Sequence, residues 1–440
     1  MSFSLALDLF PWAAATLAAL CCALLGNFLV LRRQGLLGDA ISHAVLPGLV
    51  AAFLLTGGRS GVAMFAGAAI AGLATVALAE AVQRLGRVEP GAALGVVFSV
   101  MFALGVLLIE QAAARSVDLD ADCVLYGQLE TLVWFEAPPQ AGFAWLASPA
   151  VWSEIVAATP RQVWTLLVVF LICVAFVVAL FKELRLVSFD AQLAASQGIR
   201  DRWMHGLLMT LVAAATVAAF EAVGSILVIA MLIAPAATAR LLTDRLVTQV
   251  LVSLMTALAA ATLGYAGASS VPAWLGHAFA GRPFPAVNAA GSIVVIAGGL
   301  VFVAALLSPS HGLVAKRLRL LAYARRTALD DLLISLLRQE LSGTSPLPAA
   351  VWAKRAVRRA TAAQLIDGQD PPRLTDAGRA RAADLLRAHR LWETYLVNEA
   401  DLAPDHVHQP AHTLEHLPPT LTPDAPATAT TDPHGRPLRP

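Results

Sequence analysis

The sequence predicts an all-α polytopic membrane protein with about nine transmembrane helices, followed by a small, mainly helical cytoplasmic domain. The chain is 58% hydrophobic with only 14% charged residues, whereas soluble domains are about a quarter charged. Several apolar runs reach the roughly 20 residues that a spanning helix needs. After Pro309 the composition becomes rich in Arg and Ala, which predicts a separate domain. The expected divisions are 1–315, 316–416 and 417–440.

Apolar runs place the predicted membrane helices along the first 307 residues. The stretch 205–239 is too long for one helix and rather short for two, and Glu221 and Gly224 near its middle favour a break. The predicted spans are 12–31, 38–56, 62–82, 92–110, 163–181, 205–220, 222–239, 247–267 and 286–307.

Charged residues between the spans predict the orientation in the cell membrane. With the break in 205–239, most Lys and Arg residues of the short loops fall on one side, which is therefore expected to be cytoplasmic. The N-terminus is then outside and the C-terminus inside. The basic residues of the rich side are Arg32, Arg33, Arg84, Arg87, Lys182, Arg185, Arg200, Arg202, Arg240 and Arg245.

Asp39 and His43 are the first candidate metal ligands. They are four residues apart, so on a helix they share one face, roughly 10 and 15 Å inward from Arg33. Buried Asp and His in a membrane face a protein interior or a wet cavity, and the pair suits a divalent transition metal. The alternative is a helix-end pair solvated at the membrane edge, and spacing alone does not decide between them. Glu221 is a further carboxylate flanked by apolar residues.

The segment 182–199 is the longest amphipathic inner loop. It either docks a partner through residues such as Phe189 and Leu193, or lies on the membrane surface.

In the tail, residues 316–341 and 348–366 are polar or amphipathic and rich in Arg and Ala, and residues 375–398 repeat apolar positions at helical spacing. Residues 417–440 are rich in Pro, Thr and Ala without an apolar period, which predicts disorder. Residues 389–416 hold two pairs of side chains that commonly bind metals, each at i, i+4 spacing. The pairs are His389 with Glu393 and His412 with His416. Such a set suits Mn, Fe, Co or Zn, and the repeated pairing favours it over scattered surface histidines. The candidate ligands are His389, Glu393, His406, His408, His412, Glu415 and His416.

Several separated motifs resemble the metal-specific ABC permeases for manganese, zinc and iron. They are 38–48, 182–190, 221–224 with 235–238, and 308–312. The resemblance implies a type II importer permease. Its expected partners are a second permease copy or paralogue, a cytoplasmic ABC ATPase and an extracytoplasmic metal-binding protein. It places Asp39, His43 and Glu221 on the metal pathway. It assigns coupling to the ATPase to Lys182, Glu183, Leu186, Phe189 and Asp190.

The tail resembles the metal-dependent regulators of the diphtheria toxin repressor type. The motif 373–378 is similar to the end of their winged helix, and 389–393 and 407–416 are similar to their metal-site segments. The resemblance groups His389, Glu393 and His408 in one site. It assigns His412, Glu415 and His416 to a neighbouring site, with Asp331 as an N-terminal ligand.

The would-be DNA-reading region, 333–373, departs from that family because it is short and holds Pro346 and Pro348. These departures argue against DNA binding and favour a metal sensor or chaperone.

Two classes of function remain open from the sequence. One is a permease subunit for a divalent metal (manganese, zinc or iron) whose tail senses metal. The other is a membrane-anchored metal-responsive regulator without transport. The chain has no Walker A pattern, so ATP hydrolysis is expected on a separate subunit rather than here.

Overall fold

The computed structural model describes residues 5–32, 34–56, 61–113, 129–134, 149–342, 353–367, 372–417, 419–423 and 431–438. Contacts divide the chain into two compact units, Met1–Ala315 and Lys316–Pro440. Each unit is considered by itself below.

The first unit is a bundle of helices with no strand among its described residues. Seven of these helices are long and apolar enough to cross a membrane. Counting α9 as two helices, and adding the 21-residue α2, gives the nine spans that the sequence predicts. The helices are α1 (Leu5–Leu31), α2 (Leu36–Thr56), α3 (Gly61–Gly86), α4 (Pro90–Ala113), α5 (Pro149–Ala158), α6 (Arg161–Ala179), α7 (Phe181–Phe189), α8 (Ala191–Ser196), α9 (Asp201–Leu242), α10 (Leu246–Ala280) and α11 (Ala289–Leu307).

Gly224 divides α9, as the sequence predicts. Its φ of 78° and ψ of 168° are non-helical, and a positive φ of this kind favours glycine. An unbroken helix of 42 residues would be roughly 63 Å long, about twice the thickness of a bilayer core. The break therefore divides α9 into two shorter helical segments.

α1 lies at the centre of the bundle, and 78% of its most apolar window is buried. Its only fully buried amide, Asn27, is satisfied by two residues of α10. Asn27 Nδ2 donates to Ser253 Oγ at 2.5 Å, and Gln249 Nε2 donates to Asn27 Oδ1 at 3.2 Å. Because polar groups at this depth need internal partners, these bonds fix α1 against α10.

A chain of charged groups joins one end of α1, α3 and α9. Arg32 Nη1 lies 3.2 Å from His205 Nδ1, and His205 Nε2 lies 3.4 Å from Glu80 Oε1. Arg84 donates to the other oxygen of Glu80 at 2.8 Å. The ends of three helices are thus held together by one polar network.

α2 and α3 approach each other through small residues. A Cβ on Gly48 would lie 2.2 Å from the carbonyl oxygen of Gly67, and one on Gly67 would lie 2.4 Å from that of Gly48. Ala52 and Ala71, each four residues further along its helix, complete the contact. This is the small-xxx-small packing that lets membrane helices approach closely, and it positions the helix that carries Asp39 and His43.

The second unit contains α12 (Leu313–Ser342) from Lys316 onward, α13 (Ala353–Ala362), α14 (Asp376–Asn398) and α15 (His408–Leu414). An antiparallel bridge joins Ile366 to Leu374. Thr375 caps α14 by accepting from Gly378 N at 3.1 Å and donates to Gln364 O at 2.8 Å. The core of the unit lies between α12, α13, the bridge and α14. It consists of Leu332, Leu333, Leu336, Leu337, Ala356, Ala360, Leu365, Ile366, Leu374, Ala382 and Leu386.

The structure differs from the expectation of disorder over 417–440. Its described residues form a short turn at Pro419–Leu421 and a bridge between Thr431 and Pro437. Asp432 and Leu438 are buried. Asp432 Oδ1 accepts the backbone N–H groups of His434 at 3.0 Å and Arg436 at 2.7 Å. A turn held by such local bonds needs no apolar periodicity.

The Gly48–Gly67 contact predicts a selective loss of stability. Gly48→Ala puts a methyl group against the α3 backbone and should destabilise the unit by about 1–3 kcal/mol. Gly206→Ala is the matched control, because nothing lies within 4 Å of its added Cβ, and it should be neutral or stabilising by roughly 0.5–1 kcal/mol. Thermal unfolding midpoints in detergent measure both, and equal midpoints for the two variants would contradict the packing argument.

Candidate metal centres

The predicted pathway residues of the membrane unit lie on α2 and α9. Asp39 and His43 fall within α2, but their side chains lie outside the described part of the structure. Glu221 lies one turn before Gly224, and its carboxylate pairs with Arg161 at the start of α6. The structure therefore gives Glu221 a cationic partner.

The predicted coupling segment folds into the short helices α7 and α8. Leu184 and Val187 are buried against the bundle, whereas Phe189 is 58% and Leu193 45% exposed. Asp190 lies between the helices and caps α8, its Oδ1 accepting from Leu193 N at 2.9 Å. The remaining predicted residues lie on α7, with Lys182 exposed and Glu183 and Leu186 half-buried. One face of the segment therefore packs against the bundle, and the other exposes the apolar side chains of Phe189 and Leu193.

A groove of about 610 Å³ runs beside this exposed face. Phe189 and Leu186 line it from α7, and Arg245 and Asp244 line it from the connection between α9 and α10. It combines an aromatic ring with charges of both signs, which are features of protein-binding surfaces.

In the second unit, seven of the eight predicted tail ligands come together in two sets. The first set is His389, Glu393 and His408. The second set is Asp331, His412, Glu415 and His416. Asp331 comes from α12, His389 and Glu393 from α14, and the rest from α15 and the residues after it. His406, the remaining sequence candidate, is 76% exposed beside Asp405 and belongs to neither set.

The first set surrounds one carboxylate oxygen. Glu393 Oε1 lies 3.1 Å from His389 Nε2 and 2.9 Å from His408 Nδ1, and the two ring nitrogens are 3.0 Å apart. His389 and Glu393 are buried. Among the described residues Glu393 Oε2 has no hydrogen-bond partner. A buried oxygen without a partner is costly, and a bound cation would satisfy it.

The second set is more open. His412 Nδ1 lies 2.7 Å from Glu415 Oε1, and His416 Nε2 lies 3.3 Å from Asp331 Oδ1. The side chains of His412 and Asp331 are 56% and 42% exposed. The set offers two imidazoles and two carboxylates, a mixture that suits Mn²⁺ or Zn²⁺.

Glu415 connects the two sets. Its Oε1 contacts His412 in the second set, and its Oε2 lies 2.5 Å from Nδ1 of His389 in the first set. A carboxylate on the second ring nitrogen fixes the orientation of a metal-binding histidine and raises its basicity. A movement of the Glu415 carboxylate at one set therefore also changes its contact at the other set.

Asp330 faces the second ring nitrogen of His416, as Glu415 faces that of His389, and Arg381 holds Asp330 in place. Arg381 donates to Asp330 Oδ1 through Nε at 3.1 Å and Nη2 at 2.7 Å. Asp330 Oδ2 lies 3.8 Å from His416 Nδ1. Neither residue is among the ligands predicted from the sequence. Asp330 could have been found, because it precedes the predicted ligand Asp331. No sequence pattern points to Arg381, which lies 51 residues after Asp330.

These contacts shift the titration of the tail ligands. Burial opposes the charged form of His389, but its contacts with Glu393 and Glu415 outweigh burial and raise its pKa to about 9. Burial likewise opposes charge on His416, and Asp330 and Asp331 raise its pKa to about 9. Burial would raise the pKa of Glu393, but the two histidines of its set lower it to about 2. Without a cation, each set is held together by protonated imidazole.

Comparison with known proteins identifies the first unit. The family described as the ABC 3 transport family matches residues 9–134 and 149–279. The manganese transport system membrane protein MntD of Bacillus subtilis is 36% identical over 319 residues, which are 72% of this chain and 98% of that protein. The zinc transport system membrane protein TroC of Treponema pallidum is 32% identical over 289 residues, 66% of this chain and 85% of that protein.

A solved structure has the same fold. The structure of PsaBC from Streptococcus pneumoniae in complex with Fab superposes with a TM-score of 0.53 at 28% identity, covering 71% of this chain and 94% of that one.

The tail matches a second family over residues 375–438, described as the iron dependent repressor, metal binding and dimerisation domain. The match includes α14, α15 and the turn at residues 431–438, called the C-terminal turn below. It therefore includes six of the seven residues of the two sets, all except Asp331. It spans only part of the second unit and leaves α12 and α13 outside.

The match to the transport family covers more than half of the chain, and its relatives are matched over most of their length. The protein is accordingly a multi-pass membrane transport subunit rather than an enzyme, and it belongs to the ABC 3 transport family.

Proposed function

We propose that the chain is the permease subunit of an ABC importer for manganese or zinc, and that its tail senses the same class of metal. The family match across the membrane unit carries the transport assignment, and relatives named for manganese and zinc transport support these two metals. Iron rests only on the description of the tail family. Transport is favoured over an anchored regulator because the membrane unit aligns with nearly all of one transport protein.

The metal pathway is proposed to contain Asp39, His43 and Glu221. The first two share one face of α2 at i, i+4 spacing, on a helix that close packing against α3 holds in place. Glu221 adjoins the break in α9, and broken helices near the midplane commonly form transporter sites. Arg161 would balance its charge when no metal passes.

Substitution of the α2 pair tests this pathway. Asp39→Ala and His43→Ala should each abolish uptake of radioactive manganese or zinc, because a partly dehydrated cation loses a ligand. Glu154→Ala and His277→Ala are matched controls at exposed positions of the same unit and should transport normally. Parent-level uptake by both α2 variants, at equal amounts in the membrane, would remove these residues from the pathway.

The partners of the chain follow from the transport assignment. We place a cytoplasmic ABC ATPase against α7, α8 and the adjacent groove, and a second permease copy or paralogue beside the membrane unit. An extracytoplasmic metal-binding protein would deliver the cation. The excess of Lys and Arg in one set of loops orients the tail toward the cytoplasm. No DNA-binding role is assigned to the basic helix α13.

Crosslinking tests the coupling surface. Phe189→Cys should crosslink to the ATPase, because its ring is exposed at the rim of the groove. Leu85→Cys is the control: this side chain is 88% exposed at the end of α3, on the same predicted side of the membrane. Crosslinks from position 85 but not from 189 would move the coupling surface to the α3–α4 loop.

The tail is proposed to bind metal at both sets. Their ligand atoms already converge, the first set leaves a buried carboxylate oxygen unsatisfied, and Glu415 connects the two. Metal would replace the protons that now hold each set together, so cytoplasmic metal and pH compete for the same atoms.

This competition predicts the pH dependence of tail metal affinity. His389 and His416 carry pKa values of about 9, so at lower pH each must lose a proton before it binds metal. Affinity should fall up to about tenfold per pH unit, per histidine deprotonated, between pH 9 and 6. Calorimetric titration of the full-length protein with Zn²⁺ at pH 6, 7 and 8 measures this slope. A flat profile, or a slope confined to the region near the ordinary histidine pKa of about 6.5, would contradict it.

A further inference from the structure

The C-terminal turn is fixed next to the first set. Its bridge and the two bonds to Asp432 Oδ1 define the backbone on both sides of His434. Gly435 adopts a φ of 78°, which closes the turn. Arg390, the neighbour of His389 on α14, donates to the carbonyl oxygen of Pro437. The turn is thus attached to the helix that supplies His389 and Glu393.

This attachment brings a third imidazole to the first set. His434 Nε2 lies 3.9 Å from Glu393 Oε1, the oxygen that His389 and His408 already contact. Ligand atoms around a tetrahedral Zn²⁺ are roughly 3.3 Å apart, given bonds of about 2.0–2.1 Å. The three existing separations of 2.9–3.1 Å must widen by roughly 0.2–0.4 Å to reach this value. His434 lies outside the converged group of three, and its ring nitrogen must move about 0.6 Å nearer to Glu393 Oε1.

Exposure shows which side of the set His434 would close. The side chains of His389 and Glu393 are 2% and 0% exposed, whereas that of His434 is 35% exposed. The ring therefore lies at the rim of the set. An imidazole there converts a three-residue set into a four-ligand one, and closed four-ligand sites are typical of structural zinc, whereas an open position is typical of catalytic zinc.

We propose that His434 is the fourth ligand of the first set, so that a zinc-class divalent cation fastens the C-terminal turn to α14 and α15. The inference rests on the proposed metal-binding role of the tail. It gives the 431–438 segment a function: metal occupancy is converted into order at the C-terminal end of the domain.

The test uses the full-length protein and Co²⁺ or Zn²⁺ alone. His434→Ala should weaken one of the two tail sites about 10- to 100-fold, the range seen when a metal site loses a supporting group. It should also reduce the visible absorption that four-coordinate Co²⁺ gives. His406→Ala is the matched control, an exposed histidine of the same tail outside both sets, and should behave as the parent. Parent-like affinity and spectrum for His434→Ala would overturn the assignment.

A second variant separates ligation from the fold of the turn. Asp432→Ala frees the turn but keeps the imidazole, so it should weaken the site less than His434→Ala. The double variant should be no weaker than His434→Ala alone, since both changes act through one bond. Fully additive losses would show that the turn acts without His434 and would overturn the proposal.

Hydrogen exchange and a reference variant complete the test. Added Zn²⁺ should protect residues 431–438 in the parent but not in His434→Ala, and equal protection in both would contradict ligation. His389→Ala/Glu393→Ala gives the baseline without the first set. If the parent binds no more metal than this baseline, the metal-binding tail itself fails, and the inference with it. If the parent binds more metal than this baseline, and His434→Ala binds metal as tightly as the parent, only the assignment of His434 as a ligand fails.

Discussion

Much of the architecture depends on one backbone constraint, the break at Gly224 in α9. Membrane helices cannot leave backbone groups unsatisfied in lipid, so a run of 42 helical residues must either leave the bilayer or turn back. Gly224 interrupts the helix with a φ of 78°, which a side chain would oppose. The break places a carboxylate, Glu221, beside irregular backbone within the bundle.

Length and periodicity were sufficient to predict the membrane helices, because a bilayer demands long apolar runs and leaves little choice of structure. Even the break was visible, since Glu221 and Gly224 interrupt the run. The end of α10 was less predictable: the expected span stopped at 267, but the helix continues to Ala280 through Pro272. Composition could not reveal how α2 meets α3, because Gly48 and Gly67 are two among 30 glycines.

In the tail, spacing within a helix predicted the pairs that local geometry dictates, His389 with Glu393 and His412 with His416. Contacts between distant segments needed the structure. Arg381 reaches Asp330 across 51 residues, and His434 lies in a stretch whose composition suggested disorder. A turn held by one aspartate carboxylate carries almost no sequence signal beyond the Asp and Gly themselves, so its position next to the first set could not be foreseen.

The two tail sets have a common physical basis. Clustered carboxylates raise the pKa of His389 and of His416 to about 9. This shift stabilises the folded domain below a pH of about 6.5, and the stabilisation is lost as the pH rises toward 9. Glu415 contacts both sets, so their occupancies are linked. Under the proposed function, metal binding would change the charge and the internal bonds of this domain, and the transport subunit would carry a local measure of the metal it imports.

Uptake rate as a function of cytoplasmic metal tests the central claim most directly. Cells expressing the parent, His389→Ala/Glu393→Ala or the control His406→Ala would be preloaded with graded manganese or zinc, and initial uptake would then be measured. The account predicts that the rate depends on internal metal in the parent and the control, and that the double variant loses this dependence while still transporting. Superimposable curves for all three proteins would contradict the claim that the tail couples metal sensing to transport.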